Sequence, residues 1–299
     1  MRMKDRIRQL KAEKGAIILA HFYQEPDVQD VADFIGDSLD LSRKASETDA
    51  QIIVFCGVNF MAETAKILSP EKKVLLPVYN ASCPMAMMIN KRRLLDYKAK
   101  NPDRKIICYV NSYAEVKALS DVCVTSSNAE KIITHFHQEK MLYIPDKNLG
   151  MYLKDRYDLD MDIWPGYCRV HNNLKVEDVL LARNNHPHAQ VLIHPEAPLD
   201  VLKQADYVGS TRGILNFAEQ SSNQEFVIGT ESGMLYPLQK ACPEKTFHIL
   251  KEPMSCVNMK KTRLTDVLRA LEEEQYEIFV EEGIRKQAKR ALDLMLELS

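Results

Sequence analysis

The chain has 299 residues, 45% of them hydrophobic and 27% charged, enough for a large buried core in a globular protein. Forty basic residues against 42 acidic ones leave a net charge of −2, which offers no basic field to nucleic acid or to anionic lipid. Seven irregularly spaced cysteines rule out a dense disulfide framework and read as core residues, ligands or reactive thiols of a reducing compartment. The first 14 residues are basic, but the apolar run behind them, Ala16 to Ala20, is too short for a signal-peptide core. No apolar stretch approaches the roughly 18 residues of a membrane span. A cytoplasmic protein acting on small molecules is expected.

In chain order, the pattern predicts an amphipathic helix over Asp5–Glu13, then apolar, Ile- and Val-rich runs, each followed by a segment of helical period. The runs fall into three sets of three. The first set is Ala16–Ala20, Gln51–Phe55 and Lys73–Val78. The second is Lys105–Val110, Met141–Ile144 and a weak Asp162–Trp164. The third is Ala189–Ile193, Glu225–Ile228 and Thr246–Leu250. Continuous apolar strands alternating with helices indicate parallel sheets covered on both faces. Each set closes on a loop cysteine, Cys83, Cys168 and Cys256, 85 and 88 residues apart. Units that repeat in sequence repeat in space. The expected architecture is therefore α/β, three homologous small α/β/α sandwich domains with parallel sheets about a pseudo-threefold axis. The boundaries read as 1–84, 85–170 and 171–258. After Cys256, Leu264, Leu268 and Leu271, then Ile284, Ala288, Leu292 and Met295, predict C-terminal helices over 259–299, with Thr262 or Thr265 as a cap.

Ligands of open parallel sheets bind beyond the carboxyl ends of the strands. There the first strands lead into His21-Phe22-Tyr23, Asn111-Ser112 and His194-Pro195-Glu196. Further on stand Gly36-Asp37-Ser38, Thr125-Ser126-Ser127 and Gly209-Ser210-Thr211, each ahead of a helical pattern. Taken singly, Ser38, Ser126 and Thr211 read as helix caps. Three helix starts facing one axis would also hold a carboxylate or phosphate.

Cys56, Cys108 and Cys123 lie in or beside apolar strands and read as core; Cys242 has no repeat counterpart. Cys83, Cys168 and Cys256 occupy equivalent loops, and three converging thiolates make a metal site with one corner open. Zinc accepts three thiolates and a fourth ligand. A 4Fe-4S cluster with three cysteines leaves one iron for substrate. The spacing does not separate the two, and a triplicated zinc-thiolate hydrolase or a small-anion-binding scaffold remain alternatives. His135, His137, His186, His188 and His248 lack repeat counterparts and read as surface or core histidines.

The triplicated layout, the three cysteine loops and the segments AHFYQ, GDSLDLS, YVNS, VTSSNA, HPE, GSTRGI and MSCVNM together resemble the quinolinate synthase A family over essentially the whole chain. That resemblance implies an enzyme that condenses iminoaspartate with dihydroxyacetone phosphate to quinolinate, phosphate and water, for NAD biosynthesis. It implies a 4Fe-4S cluster ligated by Cys83, Cys168 and Cys256, its fourth iron open to substrate. The substrate pocket it implies is lined by His21, Ser38, Tyr109, Val110, Asn111, Ser126, His194, Pro195, Glu196 and Thr211, with Tyr23 and His171 near the reacting atoms. The implied partners are the two substrates, with the enzyme that supplies iminoaspartate as a candidate protein partner. One departure stands out. Some relatives carry CxxCxxC here, whereas Cys256 is followed by Val-Asn-Met, without the extra thiols of a disulfide switch. By residue type, His21, His194, Glu196 and Tyr109 are the proton-transfer candidates, with Glu196 as general base. His171, three residues past Cys168, reads as a hydrogen-bond partner of the metal ligands.

Overall fold

A computed structural model describes residues 2–299. Among the described residues, strands β1 (Ala16–His21), β2 (Phe34–Gly36), β3 (Ile52–Cys56) and β4 (Lys73–Leu75) form a parallel sheet in the order β2-β1-β3-β4. Strands β5 (Lys105–Tyr109), β6 (Val122–Val124), β7 (Met141–Ile144) and β8 (Met161–Ile163) repeat it as β6-β5-β7-β8. Strands β9 (Gln190–Ile193), β10 (Tyr207–Val208), β11 (Glu225–Gly229) and β12 (Thr246–Ile249) repeat it again as β10-β9-β11-β12. The three apolar runs of each unit are three of the four strands of its sheet. The fourth strands, β2, β6 and β10, were not expected. At two or three residues, they are too short to show alternation.

One side chain sets the register of these short strands in every unit. Asp33, Asp121 and Asp206 accept from the Ile18, Ile106 and Val191 N–H groups at 2.8, 2.7 and 2.7 Å. Their own N–H groups return to the carbonyls of the same residues at 2.9, 3.0 and 2.9 Å. The edge strand is thereby fixed 15 residues after its neighbour in each case.

Each sheet buries both faces. In the first, Ile18, Val54 and Cys56 pack with Ile7 and Leu10 of the N-terminal helix Met3–Lys14, and with Val267, Ala270 and Leu271 of helix Leu264–Glu273. The alternate residues Leu19, Ile53 and Phe55 face the other way, onto Leu41 and Met61. This is the period-2 alternation of a strand between two helical layers. Helix Glu282–Glu297 sends Ala288, Ala291, Leu292 and Met295 into the core of the second unit. The helix expected to begin on Thr262 or Thr265 is instead capped at Arg263, whose N–H is taken by the Asp266 carboxylate at 2.9 Å, while Thr262 is buried. No helix among the described residues is long and apolar enough to cross a membrane.

Leu292 is fully buried, whereas Leu181 is 61% exposed. Leu292→Ala is expected to cost about 2–5 kcal/mol, as large-to-small core changes do. Leu181→Ala should stay within about 0.5 kcal/mol. Denaturant midpoints of the two variants check this; equal shifts would refute the packing role of the last helix.

Candidate active site

The carboxyl ends of all three sheets open onto one cavity of about 70 Å³, lined from every unit. The aspartate clamps make His21, Tyr109 and His194 equivalent positions, one at the end of each first strand. Tyr23, Asn111 and Glu196 then occupy equivalent positions two residues on. This corrects the expected alignment of Asn111-Ser112 with His21-Phe22-Tyr23: the second-unit counterpart is Tyr109-Val110-Asn111. His21, Tyr23, Tyr109, Asn111, His194 and Glu196 all line the cavity, and so do Ser38, Ser126, His171 and Thr211. Val110 and Pro195 do not.

The two equivalent histidines are held alike. His21 Nδ1 accepts from the Tyr23 N–H at 3.1 Å, and His194 Nδ1 accepts from the Glu196 N–H at 3.3 Å. A nitrogen that accepts from backbone leaves the proton on the other, so each ring presents Nε2–H. His194 Nε2 donates to Ser126 Oγ at 3.2 Å. Burial pushes both imidazoles down to about 3, which keeps them neutral near pH 7.

Glu196 is the centre of the polar network. Tyr109 donates to its Oε1 at 2.7 Å, and His171 Nδ1 stands 2.8 Å from its Oε2. Burial alone would raise its carboxyl, but the His171 hydrogen bond leads the opposing effects and holds it below the usual range. Tyr109 and Tyr23 are raised, chiefly by burial and then by the Glu196 charge. The other face of His171 meets Thr230: Nε2 lies 2.9 Å from Thr230 Oγ1, which lies 2.7 Å from Tyr23 OH. A carboxylate only accepts, so His171 donates to Glu196 from Nδ1, and Thr230 links the far side of the ring to Tyr23. Thr230 was missed in the sequence; its signal was its place immediately beyond β11. Asn111 Oδ1 is buried without a partner among the described residues.

The three helix starts do converge, but with different caps from those expected. Asp37 Oδ1 accepts from the Leu39 and Asp40 N–H groups, each at 2.9 Å, to cap helix Ser38–Glu47. Ser210 Oγ accepts from the Gly213 N–H at 3.0 Å, to cap helix Thr211–Gln220. In the second unit, Asn128 precedes helix Ala129–His135, and Thr125 Oγ1 takes the Ser127 N–H at 3.2 Å. Ser38, Ser126 and Thr211 each lie one residue beyond Asp37, Thr125 and Ser210, and none is a cap. A cap is spent on its own backbone, whereas a hydroxyl one residue later faces the cavity. Ser127 joins the three starts, donating to Asp37 and lying 2.8 Å from Ser210 Oγ. Arg212 closes the same end, its Nε and Nη2 both donating to Asp40 Oδ2, at 2.8 and 2.7 Å.

The cysteine loops are three copies of one frame. The Asn59, Lys147 and Ser232 N–H groups donate to the carbonyls of Ala81, Gly166 and Met254 at 2.8, 2.7 and 2.7 Å. Two residues later in each loop stand Cys83, Cys168 and Cys256. The Met87, Asn172 and Lys260 N–H groups then turn back onto the cysteine carbonyls at 3.3, 2.9 and 3.1 Å. All three thiols line the cavity. Cys56, Cys108 and Cys123 are buried in the sheets, as expected; Cys242, at the end of helix Leu235–Ala241, is buried too, and none of the four lines the cavity. Glu231, also missed in the sequence, pins the third loop by accepting the Cys256 N–H at 3.0 Å.

Burial pushes the Cys83 thiol up to about 12, and Cys168 and Cys256 rise for the same leading reason. Three thiolates in so dry a place need a cation to compensate them. The sulfurs do not form a group within 4.8 Å of one another. A single zinc with Zn–S of about 2.3 Å needs them roughly 3.8 Å apart. The donor set therefore fits a polynuclear thiolate cluster better than one ion shared by all three cysteines. Cys168, His171 and Glu196 do make a compact mixed group within 4.8 Å.

A triplicated parallel α/β scaffold with a buried, thiol-lined central cavity defines an enzyme with a metal-binding donor set. The family model described as quinolinate synthetase A protein matches residues 5–297. The chain is 50% identical over 299 residues to a quinolinate synthase of Caldicellulosiruptor saccharolyticus, covering 100% of this chain and 99% of that one. It is 51% identical over 297 residues to one of Caldicellulosiruptor bescii, at 99% and 98% coverage. It is 46% identical over 292 residues to one of Methanosarcina barkeri, at 98% and 96% coverage. The chain belongs to the quinolinate synthetase A family.

The capping geometry yields a stability contrast. Ser210→Ala should cost about 1 kcal/mol, the usual loss of a serine cap. Ser38→Ala should change stability by less than about 0.5 kcal/mol. A larger loss for Ser38→Ala in thermal unfolding would restore the capping role the structure denies it.

Proposed function

We propose that this chain is a cytoplasmic quinolinate synthase that condenses iminoaspartate with dihydroxyacetone phosphate to give quinolinate, phosphate and water. The observation that carries the reading is the threefold frame, which delivers Cys83, Cys168 and Cys256, and no other cysteine, into a cavity that also holds Glu196. The three thiolates would hold a 4Fe-4S cluster. When bound, such a cluster supplies one open iron as a Lewis acid for a hydroxyl or carbonyl oxygen.

The remaining chemistry falls to side chains already in contact. The reaction joins an enamine-like carbon to a triose, closes a ring by imine formation and dehydrates, with no net electron transfer. Protons must leave carbon and nitrogen and arrive on departing oxygens. Glu196, held ionised by its neighbours, accepts a proton, and the Tyr23–Thr230–His171 chain carries protons along its bonded atoms. Tyr109 orients the carboxylate from its other oxygen. His21 and His194, neutral with Nε2–H inward, donate hydrogen bonds to substrate oxygens. The Ser38, Ser126 and Thr211 hydroxyls at the helix starts receive carboxylate and phosphate groups, where the positive ends of the helix dipoles favour anions. The proposed domain limits remain 1–84, 85–170, 171–258 and 259–299.

A second reading rests on the compact Cys168–His171–Glu196 group, which suits one mononuclear ion. Single Cys→Ser variants separate the two. Protein purified without oxygen should be brown, and Cys83→Ser, Cys168→Ser and Cys256→Ser should each lose the iron. Cys56→Ser, Cys108→Ser, Cys123→Ser and Cys242→Ser should keep it. Full metal content in Cys83→Ser and Cys256→Ser would favour the mononuclear ion.

Glu196→Gln should retain iron and bind substrate, while turnover falls by about 10²–10⁴-fold. Wild-type turnover in that variant, measured by quinolinate formation, would reduce Glu196 to a positioning residue.

A further inference from the structure

Beside the amino end of β11, away from the cavity, three side chains from separate elements meet at one point. His186 ends helix Val176–Asn185, Glu225 opens β11 and His248 lies in the edge strand β12. His186 Nδ1 is 3.2 Å and His248 Nε2 is 2.9 Å from the same oxygen, Glu225 Oε1. The rings stack with centroids 3.7 Å apart and planes inclined by 21°. The three donor atoms lie within 4.8 Å of one another, and each side chain is about a third exposed.

We propose that His186, Glu225 and His248 form a surface site for a divalent transition-metal ion of the zinc class. Two imidazole nitrogens and a carboxylate oxygen are ligands such ions take. A carboxylate that merely accepted from two histidines has two oxygens over which to spread them. Gathering both on one oxygen produces the compact triangle that one ion fills. The neutral imidazole is the form in which histidine ligates a metal ion. The negative end of the helix dipole at His186 adds attraction for a cation. The frame around the site is also fixed: Asn223 Nδ2 donates to the carbonyls of His188 and Glu225 at 3.2 and 2.7 Å. Glu225 and His248 leave the same face of neighbouring strands, because His248 pairs with Val227, two residues beyond Glu225. A bound ion would clip the helix end to the edge strand, leaving solvent positions to complete its coordination. The site is distinct from the cysteine-lined cavity and independent of what that cavity holds.

The test compares zinc uptake by the wild-type chain, isolated without oxygen and with its native metal content intact, with that of Glu225→Gln and His248→Ala. Equilibrium dialysis against zinc chloride should find one zinc per wild-type chain that both variants bind about tenfold more weakly or worse, since even outer partners of metal ligands cost about 10–100-fold. Zinc should raise the melting temperature of the wild type and not of the variants, with quinolinate formation equal in all three before zinc is added. Glu225→Gln keeps an acceptor oxygen for both histidines, so it decides the matter even if His248→Ala does not fold. Because the cysteine cavity is common to all three proteins, zinc taken up there cancels in the comparison. Equal zinc uptake by the wild type and Glu225→Gln would overturn the proposal.

Discussion

Everything at the centre of this molecule depends on a backbone hydrogen bond made three times. Asn59 to Ala81, Lys147 to Gly166 and Ser232 to Met254 each tie the third residue past a third-strand end to the loop two residues before a cysteine. The bond is short and independent of side-chain identity, so it survives as Asn, Lys and Ser at the donor position and Ala, Gly and Met at the acceptor. What it delivers is chemically specific: one thiol per unit, always two residues beyond the bonded carbonyl. Desolvation then makes these thiols poor thiolates on their own. A cavity so arranged stores a demand for positive charge.

Around that symmetric frame, the side chains are deliberately unequal. The equivalent positions His21, Tyr109 and His194 keep two imidazoles and substitute one phenol. The next equivalent set, Tyr23, Asn111 and Glu196, has no two members alike. A symmetric cavity would offer three identical corners. Divergence at these six positions gives one corner a carboxylate, one an amide and one a phenol. The bonds between corners, such as Tyr109 to Glu196 and Tyr23 through Thr230 to His171, cross unit boundaries. The active centre therefore exists only when all three units are docked.

Much of this was legible in the residues. The cysteine spacing marked the repeat, and the long apolar runs gave the strands that carry the site. The short edge strands were not legible, because two or three residues carry no period; the aspartates 15 residues along were their only sequence mark. The caps of the first and third units were misplaced by one residue, since Gly-Asp-Ser and Gly-Ser-Thr offer adjacent polar side chains and only the backbone bend decides which turns inward; in the second, Asn128 stands two residues beyond Ser126. Thr230 and Glu231 read as an ordinary loop. Their roles come from contacts to His171 and Cys256, 59 residues before and 25 after, which no local pattern reveals.

The first sheet carries a further consequence. Its outer strand β4 is covered by the segment at Tyr276–Ile278, through Leu76 N–H to Tyr276 and Ile278 N–H to Val74, at 3.1 and 2.8 Å. The opening helix of the chain likewise packs on helix Leu264–Glu273. As the chain leaves the ribosome, the first unit emerges some two hundred residues before the parts that seal it. Its open strand edge is a pairing hazard for that whole interval. Completion of the oldest segment thus waits on the newest, so a nascent chain cut short before Tyr276 holds three sheets with one flank unsealed.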